Sequence, residues 1–148
     1  MDDTSSTSSS TSSTVPSATT TTLVGQGSVP ITFSLADAAT VGALQFDVDY
    51  SRAPGLFEGA GVDVECSGLV SGILLSHYNE TGDETLRIGM LSLGGFTGPT
   101  DLVRCTFVFD PTLPAPKDFD ITIVDVTGPD LFPIVPEPTV VVSVAPPS

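Results

Sequence analysis

Few residues of this chain could carry out covalent or acid–base chemistry: its 148 residues include one His, two Cys and no Trp. His77 directly follows Ser76, and a Ser beside a base would suggest nucleophilic catalysis. Consecutive side chains on a strand point to opposite faces, however, so these two cannot meet. Asp47 and Asp49 share one face and could act as a carboxylate pair, although a solvated outer face explains them more simply. We therefore expect no enzymatic activity.

The two cysteines, Cys66 and Cys105, lie in separate strand-like runs. They are either two buried free thiols or a disulfide between neighbouring strands. We expect the disulfide, which suits an exported chain and would stabilise the fold by roughly 3–4 kcal/mol in the chain-entropy model. A zinc site is not expected, because two Cys without a nearby pair of His do not have the spacing of zinc ligands.

Calcium is the metal that the acidic residues suggest, and only weakly. Calcium prefers carboxylate oxygens as ligands. The candidate residues, close together in the sequence, are Asp118, Asp120, Asp125 and Asp130. Their spacing matches no EF-hand loop, and acidic residues are frequent throughout the chain. We expect no cofactor, with calcium as the weak alternative.

The charge of the chain restricts its partners. Eighteen acidic residues face four basic ones, for a formal net charge of −14. So few cations cannot neutralise the phosphates of a nucleic acid or hold an anionic membrane surface. The sequence has no apolar run long enough for a transmembrane helix. With 15% charged and 40% hydrophobic residues, the chain has the composition of a folded domain rather than of a disordered one.

Residues 1–22 form a tail of distinct composition, in which Ser and Thr predominate. The first residues lack the basic and apolar regions of a signal peptide. The scarcity of Lys and the Ser/Thr tract, which is typical of cell-surface stalks and of O-glycosylated segments, nevertheless favour an extracellular or cell-surface location. This composition cannot build a core, so we expect a solvated linker or spacer. The alternative is a donated strand, because threonine has strand propensity and the end of the tail could pair with an open sheet edge. The candidate strand donor consists of Thr19, Thr20, Thr21, Thr22, Leu23 and Val24.

From residue 23 onward, apolar and polar residues alternate, as they do in strands with one buried face. The pattern predicts strands over 29–35, 43–50, 62–66, 73–78, 85–91, 101–109, 119–126 and 139–145. Since Gly and Pro punctuate these runs and no helical period is present, we expect a single β-sandwich over 23–148. The predicted core row is Ile31, Phe33, Leu44, Phe46, Val48, Ile88, Phe107, Ile121 and Ile123.

The sequence also predicts the local structure of three connections between these strands. Residues 79–84 should form a hairpin turn, with Gly82 available for a positive φ. The segment 91–99, which contains Gly94-Gly95, should be a loop, and Leu56 and Phe57 should both be tucked beneath the loop 51–61. The hairpin also contains Asn79-Glu-Thr, which has the form of a glycosylation sequon.

The order and spacing of the strands resemble those of cohesin-like modules. The residues that carry the resemblance are Val29-Pro-Ile-Thr-Phe-Ser-Leu, Gly42-Ala-Leu-Gln-Phe-Asp-Val-Asp-Tyr, Leu86-Arg-Ile-Gly-Met-Leu-Ser, Val103-Arg-Cys-Thr-Phe-Val-Phe and Thr139-Val-Val-Val-Ser-Val. The resemblance covers roughly residues 23–145 and implies a nine-stranded jelly roll that is extracellular and non-catalytic. In cohesins, a calcium-loaded dockerin binds the outward face of one sheet. This chain has Ala43 and Gln45 at outward positions where dockerin binders often have Asn or Asp.

These observations leave three hypotheses for the function. The first is a cohesin-type module that binds another extracellular, dockerin-like protein and so holds an extracellular assembly together. Its candidate binding face is Ala43, Gln45, Asp47, Asp49, His77 and Arg87. The second is a surface-fibre subunit that assembles into filaments with copies of itself by donating its N-terminal strand. The third is a weak carbohydrate-binding module, which the lack of an exposed aromatic platform disfavours.

Overall fold

The computed structural model of the chain describes residues 27–144, which contain nine strands and one turn of 3₁₀ helix. The strands are β1 (Gly27–Leu35), β2 (Thr40–Asp49), β3 (Gly55–Phe57), β4 (Cys66–Gly68), β5 (Leu74–Glu80), β6 (Thr85–Thr97), β7 (Thr100–Phe109), β8 (Asp120–Thr127) and β9 (Val140–Val144). The 3₁₀ turn, Pro116–Asp118, precedes β8. No helix within this range is both long and apolar enough to cross a membrane.

The strands form two antiparallel sheets that pack face to face. Sheet A has the order β9-β1-β7-β3, and β4 also pairs with β7, so that β3 and β4 lie along the same side of that strand. Sheet B has the order β5-β6-β2-β8. The expected all-β sandwich is therefore confirmed for the described residues.

The alternating sequence pattern produces the core between the sheets. On β1, Val29, Ile31, Phe33 and Leu35 are all buried, while the residues between them are not. Aromatic rings connect the two sheets: the ring centroids of Phe33 on sheet A and Phe46 on sheet B lie 5.7 Å apart. Such pairs contribute about 0.5–1.5 kcal/mol beyond the burial of their area. Period-two patterning and aromatic packing together account for this core.

The predicted core row is correct for its central strands and only partly correct for β8. Every member on β1, β2, β6 and β7 is fully buried. Ile121 and Ile123 contact the core but remain partly exposed. The reason is that β8 is an edge strand, so in the described part of the chain no further strand covers its outer side.

The disulfide between Cys66 and Cys105 is present. The two residues are direct register partners on β4 and β7, with their Cα atoms 4.1 Å apart. The bond therefore attaches the short strand β4 to the long strand β7. Of the two alternatives for the cysteines, free thiols or a disulfide, the disulfide is confirmed.

The loop predicted over 91–99 is wrong, because β6 continues to Thr97. Thr97 and Phe96 pair with Thr40 and Val41, and the register shifts on the β2 side between Val41 and Ala43. The two glycines that suggested a turn belong instead to this bulge, where Gly95 has a φ of 79°. Val41 and Ala43 pair with Phe96 and Leu91, so β6 carries three extra residues at this point. A glycine with positive φ is one way in which a strand accommodates such an insertion. The turn between β6 and β7 falls at Gly98-Pro99.

Three smaller predictions also need correction. In the hairpin between β5 and β6, the residue with positive φ is Glu84, at 51°, rather than Gly82. Phe57 is buried as expected, but Leu56 is exposed, because both lie on strand β3 and consecutive side chains alternate. Of the residues predicted to form a strand over 62–66, only the last, Cys66, does so. The observed strand β4 begins there and ends at Gly68. The tail, with its candidate strand donor, lies outside the described residues.

Candidate binding face

The outer face of sheet B collects most of the candidate binding residues. Leu44, Phe46 and Val48 of β2 are buried between the sheets, so the alternate residues Ala43, Gln45, Asp47 and Asp49 project outward. On β6, Arg87 is directly opposite Asp47 and projects to the same side. Five of the six residues suggested by the sequence therefore share one face.

His77 does not belong to that face, and its assignment there needs correction. The register aligns His77 of β5 with Ile88 and Phe46, both of which are buried. His77 therefore points toward the inside of the sandwich, and its neighbour Ser76 points outward. The alternation that separates this Ser from this His also removes the His from the outer face.

The register arranges the outer face in four rows across the sheet. From β5 to β8 they are Leu74–Leu91–Ala43–Thr127, Ser76–Gly89–Gln45–Asp125, Tyr78–Arg87–Asp47–Thr122 and Glu80–Thr85–Asp49–Asp120. We refer to them as rows one to four. Directly aligned side chains in neighbouring strands lie about 5 Å apart, so each row forms a continuous contact surface.

The chemical character changes from row one to row four. Row one is apolar except for Thr127: Leu74 is 69% exposed and Leu91 is 40% exposed, and Leu93, further along β6, is 90% exposed. Row four carries three carboxylates and no basic side chain. Exposed apolar side chains that are grouped rather than scattered mark interaction sites. The face thus has an apolar end and an acidic end.

A groove of about 290 Å³ lies between rows one and two. Its floor is at Gly89, and Leu74, Leu91, Ser76 and Asp125 are among the residues that line it. A Cβ atom at Gly89 would lie 2.6 Å from Ser76 Oγ, so a larger residue there would displace that hydroxyl and fill the groove. The absence of a side chain at position 89 is what creates the depression.

The charges in the middle of the face are partly compensated. Arg87 Nε lies 3.6 Å from Asp47 Oδ1, and this arginine is largely exposed. A pair of this kind contributes little to stability, roughly 0–1 kcal/mol. Arg87 therefore remains available to exchange its carboxylate for one from a partner.

Neighbouring groups stabilise the negative charge of two carboxylates in row four, those of Asp49 and Asp120. The backbone N–H of Ser51 donates a hydrogen bond to Asp49 Oδ1 over 2.9 Å, and this bond lowers the pKa of Asp49. The Ser51 side chain and the positive charge of Arg52 lower that pKa further. Arg52 Nη2 also lies 2.9 Å from Asp120 Oδ1. Asp49 is therefore ionised at neutral pH.

Asn79 fixes the end of β5 from the inside. It is 1% exposed, and its amide nitrogen donates to the carbonyl oxygens of Phe57 and Gly59. Its Oδ1 accepts a 2.6 Å hydrogen bond from the hydroxyl of Tyr50. Burial raises the pKa of Tyr50 to about 12. Because the amide nitrogen that would carry a glycan is buried and bonded, the sequon at Asn79 is inaccessible in the folded domain.

The four calcium candidates are engaged separately. Asp118 accepts a hydrogen bond from the N–H of Ala115, Asp130 accepts one from Phe132, and Asp120 pairs with Arg52. Asp125 lines the groove. Within residues 27–144 no three side chains of metal-binding type come together.

Sequence reasoning missed Leu74, Tyr78, Gly89 and Leu91 as members of the face. Leu74-Leu75 and Met90-Leu91 are adjacent apolar pairs, so the pattern does not tell which member faces outward. The pairing of β5 and β6 with β2 decides the question, because it aligns Leu74 and Leu91 with the outward-facing Ala43.

Comparison of the chain with protein-family models, with curated proteins and with solved structures finds no match.

Proposed function

We propose that this protein is a non-catalytic protein-binding module of the cohesin type that helps to hold an extracellular or cell-surface assembly together. The partner binds the outer face of sheet B. The observation that carries this proposal is the apolar row of the exposed Leu74 and Leu91 and the half-buried Ala43. It lies next to a groove, at the opposite end of the face from the acidic row four. Water exposure of such side chains is unfavourable by about 25 cal/mol per Å², which a partner relieves on binding.

Two features support the finer proposal of a cohesin-like jelly roll. The two four-strand paths, β9-β1-β7-β3 and β5-β6-β2-β8, interleave strands that are distant in sequence. The outward face of one complete sheet is also open for a partner, as the resemblance to cohesins implies. An extracellular location agrees with the disulfide between Cys66 and Cys105, because such bonds persist in oxidising compartments.

The test measures binding of a panel of calcium-loaded dockerin modules by isothermal titration calorimetry. The informative variant is Leu74→Asp, which places a charge in the apolar row. The matched control is Leu131→Asp, which makes the same change at a similarly exposed leucine, 77% against 69%, in the connection between β8 and β9. Circular dichroism establishes that both variants are folded.

We expect at least one dockerin to bind the wild type and the Leu131 variant with equal affinity. Its affinity for the Leu74 variant should be at least tenfold lower, since a buried unpaired charge costs more than 1.4 kcal/mol. If no dockerin binds the wild type, the cohesin type is wrong. If Leu74→Asp binds as tightly as the wild type, the partner uses another surface.

A second candidate function, the self-assembling fibre subunit, is favoured by the composition of β9. This edge strand consists of four valines and one serine and carries no charge. Edges without charged residues accept additional strands more readily than guarded ones. Light scattering of the full chain and of a variant lacking residues 1–22 tests this alternative. Large polymers that disappear on deletion would support the fibre, and two monomers would exclude it.

A further inference from the structure

The groove between rows one and two has an apolar end and a charged end. Leu74 of β5 and Leu91 of β6 line it on the side of row one, and Gly89 leaves its floor open. Across the sheet the groove reaches β8, where Asp125 lines it. Neighbouring strands lie about 5 Å apart, so Asp125 is about 10 Å from Gly89, two strands away. The groove therefore has the length of one extended side chain, with leucines at one end and a carboxylate at the other.

A β-bulge places Asp125 at the charged end. In β8, Ile123 packs against the core, and strict alternation would turn Asp125 inward as well. The pairing with β2 shifts its register at this point, so that Val124 is an extra residue and Asp125 pairs with the outward-facing Gln45. Bulges commonly change the direction of a side chain in this way. The carboxylate of Asp125 therefore lies beside Gln45 in row two and not in the core.

The basic side chains of this protein lie elsewhere. The whole chain has four of them, and all fall within residues 27–144: Arg52, Arg87, Arg104 and Lys117. Arg52 forms an ion pair with Asp120, which lies in row four. Arg87 forms one with Asp47 in row three. Arg104 lies on β7 of sheet A and Lys117 in the 3₁₀ turn before β8, so neither belongs to rows one to four. A basic side chain that pairs with Asp125 must therefore come from another molecule.

We propose that the protein bound to this face inserts an arginine side chain into the groove. This inference rests on the proposed function, since it identifies the side chain of the partner that the face recognises. The aliphatic stem of the arginine packs against Leu74 and Leu91 above Gly89, and its guanidinium group bonds to Asp125. An arginine can bury its stem along an apolar surface while its charged end stays near water. One side chain therefore matches both ends of the groove.

Arginine fits this groove better than lysine because row two has two oxygen acceptors side by side. Asp125 and Gln45 are direct register partners, so their side chains lie about 5 Å apart. The planar guanidinium group carries five N–H donors and can bond to the carboxylate and the amide oxygen together, whereas the ammonium group of lysine is a compact, strongly hydrated charge. A purely apolar side chain would remove water from Asp125 without replacing its hydrogen bonds, which is unfavourable.

The charge around the groove also favours a cationic ligand. The chain has a formal net charge of −14, which attracts cations to its surface. Arg87, the basic residue of rows one to four, lies on β6, at least about 10 Å from Asp125 on β8. That distance exceeds the Debye length of about 8 Å at physiological salt, and Asp47 partly neutralises the arginine. A second copy of the chain carries the same negative charge, so the partner is a different protein with a basic surface.

The test titrates the isotope-labelled full chain with blocked amino acids and follows its backbone amides by NMR. The probes are the N-acetyl methylamides of arginine, citrulline and lysine. Citrulline has nearly the shape of arginine but no positive charge, and lysine has the charge without the planar group. Because the probes are blocked, they carry no terminal charges.

Two variants alter the two ends of the site. Asp125→Asn removes the charge, and its matched control is Asp110→Asn, the same change at an exposed aspartate that follows β7. The double variant Ser76→Ala with Gly89→Ala places a methyl group on the floor of the groove. Removing Ser76 Oγ relieves the 2.6 Å contact that the new Cβ atom would make, so the variant can fold. Ser76→Ala alone is its control.

We expect the arginine probe to bind the wild type saturably, with its largest chemical-shift changes at Leu74, Gly89 and Asp125. Citrulline and lysine should bind about fivefold more weakly, and so should arginine to Asp125→Asn and to the filled double variant, since each change removes a charge-assisted hydrogen bond or the space for the stem. The two control variants should bind the arginine probe as the wild type does.

The proposal is wrong if the arginine probe causes no saturable change at the groove, or if citrulline or lysine binds as tightly as arginine. Equal binding to the filled variant would overturn it too. So would equal weakening by Asp110→Asn and Asp125→Asn, because the attraction would then belong to the acidic chain as a whole.

The dockerin titration reports separately on the proposed function. If a dockerin binds the wild type and the arginine probe does not, the arginine site is wrong and the proposed function stands. If the arginine probe binds as expected and no dockerin does, the cohesin type is wrong and the arginine site is supported.

Discussion

The buried side chain of Asn79 permits a sharp test of the structure. Substitution Asn79→Ala removes its bonds to the carbonyl oxygens of Phe57 and Gly59 and to the hydroxyl of Tyr50. A buried polar group that loses its partner costs about 1–3 kcal/mol. The bond to Gly59 is only partly buried, so water can replace it, and we expect a total loss of about 3–5 kcal/mol of unfolding free energy. That is a large share of the roughly 5–15 kcal/mol that stabilises a typical domain.

Urea denaturation of four proteins measures this loss and assigns it to its cause. They are the wild type, Asn79→Ala, Tyr50→Phe and the double variant. Because the two side chains share a 2.6 Å hydrogen bond, we expect a coupling energy of about 1–2 kcal/mol. The matched control is Thr81→Ala, an exposed change two residues away that also eliminates the sequon, and it should alter stability by less than about 0.5 kcal/mol.

Two results would refute the reasoning. A loss below about 1 kcal/mol for Asn79→Ala would mean that water reaches this side chain and replaces its bonds. Additive effects of the Asn79 and Tyr50 substitutions would mean that their hydrogen bond is absent in solution. In either case the end of β5 would be held by something other than Asn79.

Three further predictions follow from the cysteines, the buried tyrosine and the charge. Replacing Cys66 and Cys105 together by Ser should lower the unfolding free energy by roughly 3–4 kcal/mol in denaturant titrations, since they close a loop with a sequence separation of 39; an unchanged midpoint would contradict this. The raised pKa of Tyr50, about 12 against 10.0 in a model compound, means that the native state keeps a proton that the unfolded state loses. Stability should therefore be insensitive to this group below pH 10 and fall between pH 10 and 12, and Tyr50→Phe should lack that part of the decline. Raising NaCl from low concentration to about 1 M should increase the melting temperature, because screening weakens repulsion among the excess carboxylates; a constant or falling value would show that this repulsion is unimportant.

The sequence predicted well wherever its pattern was unambiguous. Strict alternation in 43–50 identified both the buried and the outward side chains of β2, because one side of a strand must leave water. The isolated pair of cysteines in strand-like runs predicted the disulfide. Predictions failed where one local signal has two structural meanings: Gly94-Gly95 suits a turn and a bulge equally, and only the pairing of Phe96 with Val41 selects the bulge.

What the sequence by itself determined is the class of the protein: an acidic, all-β chain with one buried face per strand, two cysteines and few groups capable of catalysis. The amino-acid composition and the alternation of apolar and polar residues are properties of the individual side chains, so the sequence alone contains them. The tertiary structure alone decided which side chains share the outer face of sheet B and which strands lie at the edges of the two sheets. Leu74 and Leu91 share row one, and His77 points away from the outer face, because of strand register. β8 and β9 are edge strands because each is the last strand in the order of its sheet. Register and strand order arise from contacts between residues far apart in the chain, so no local pattern contains them.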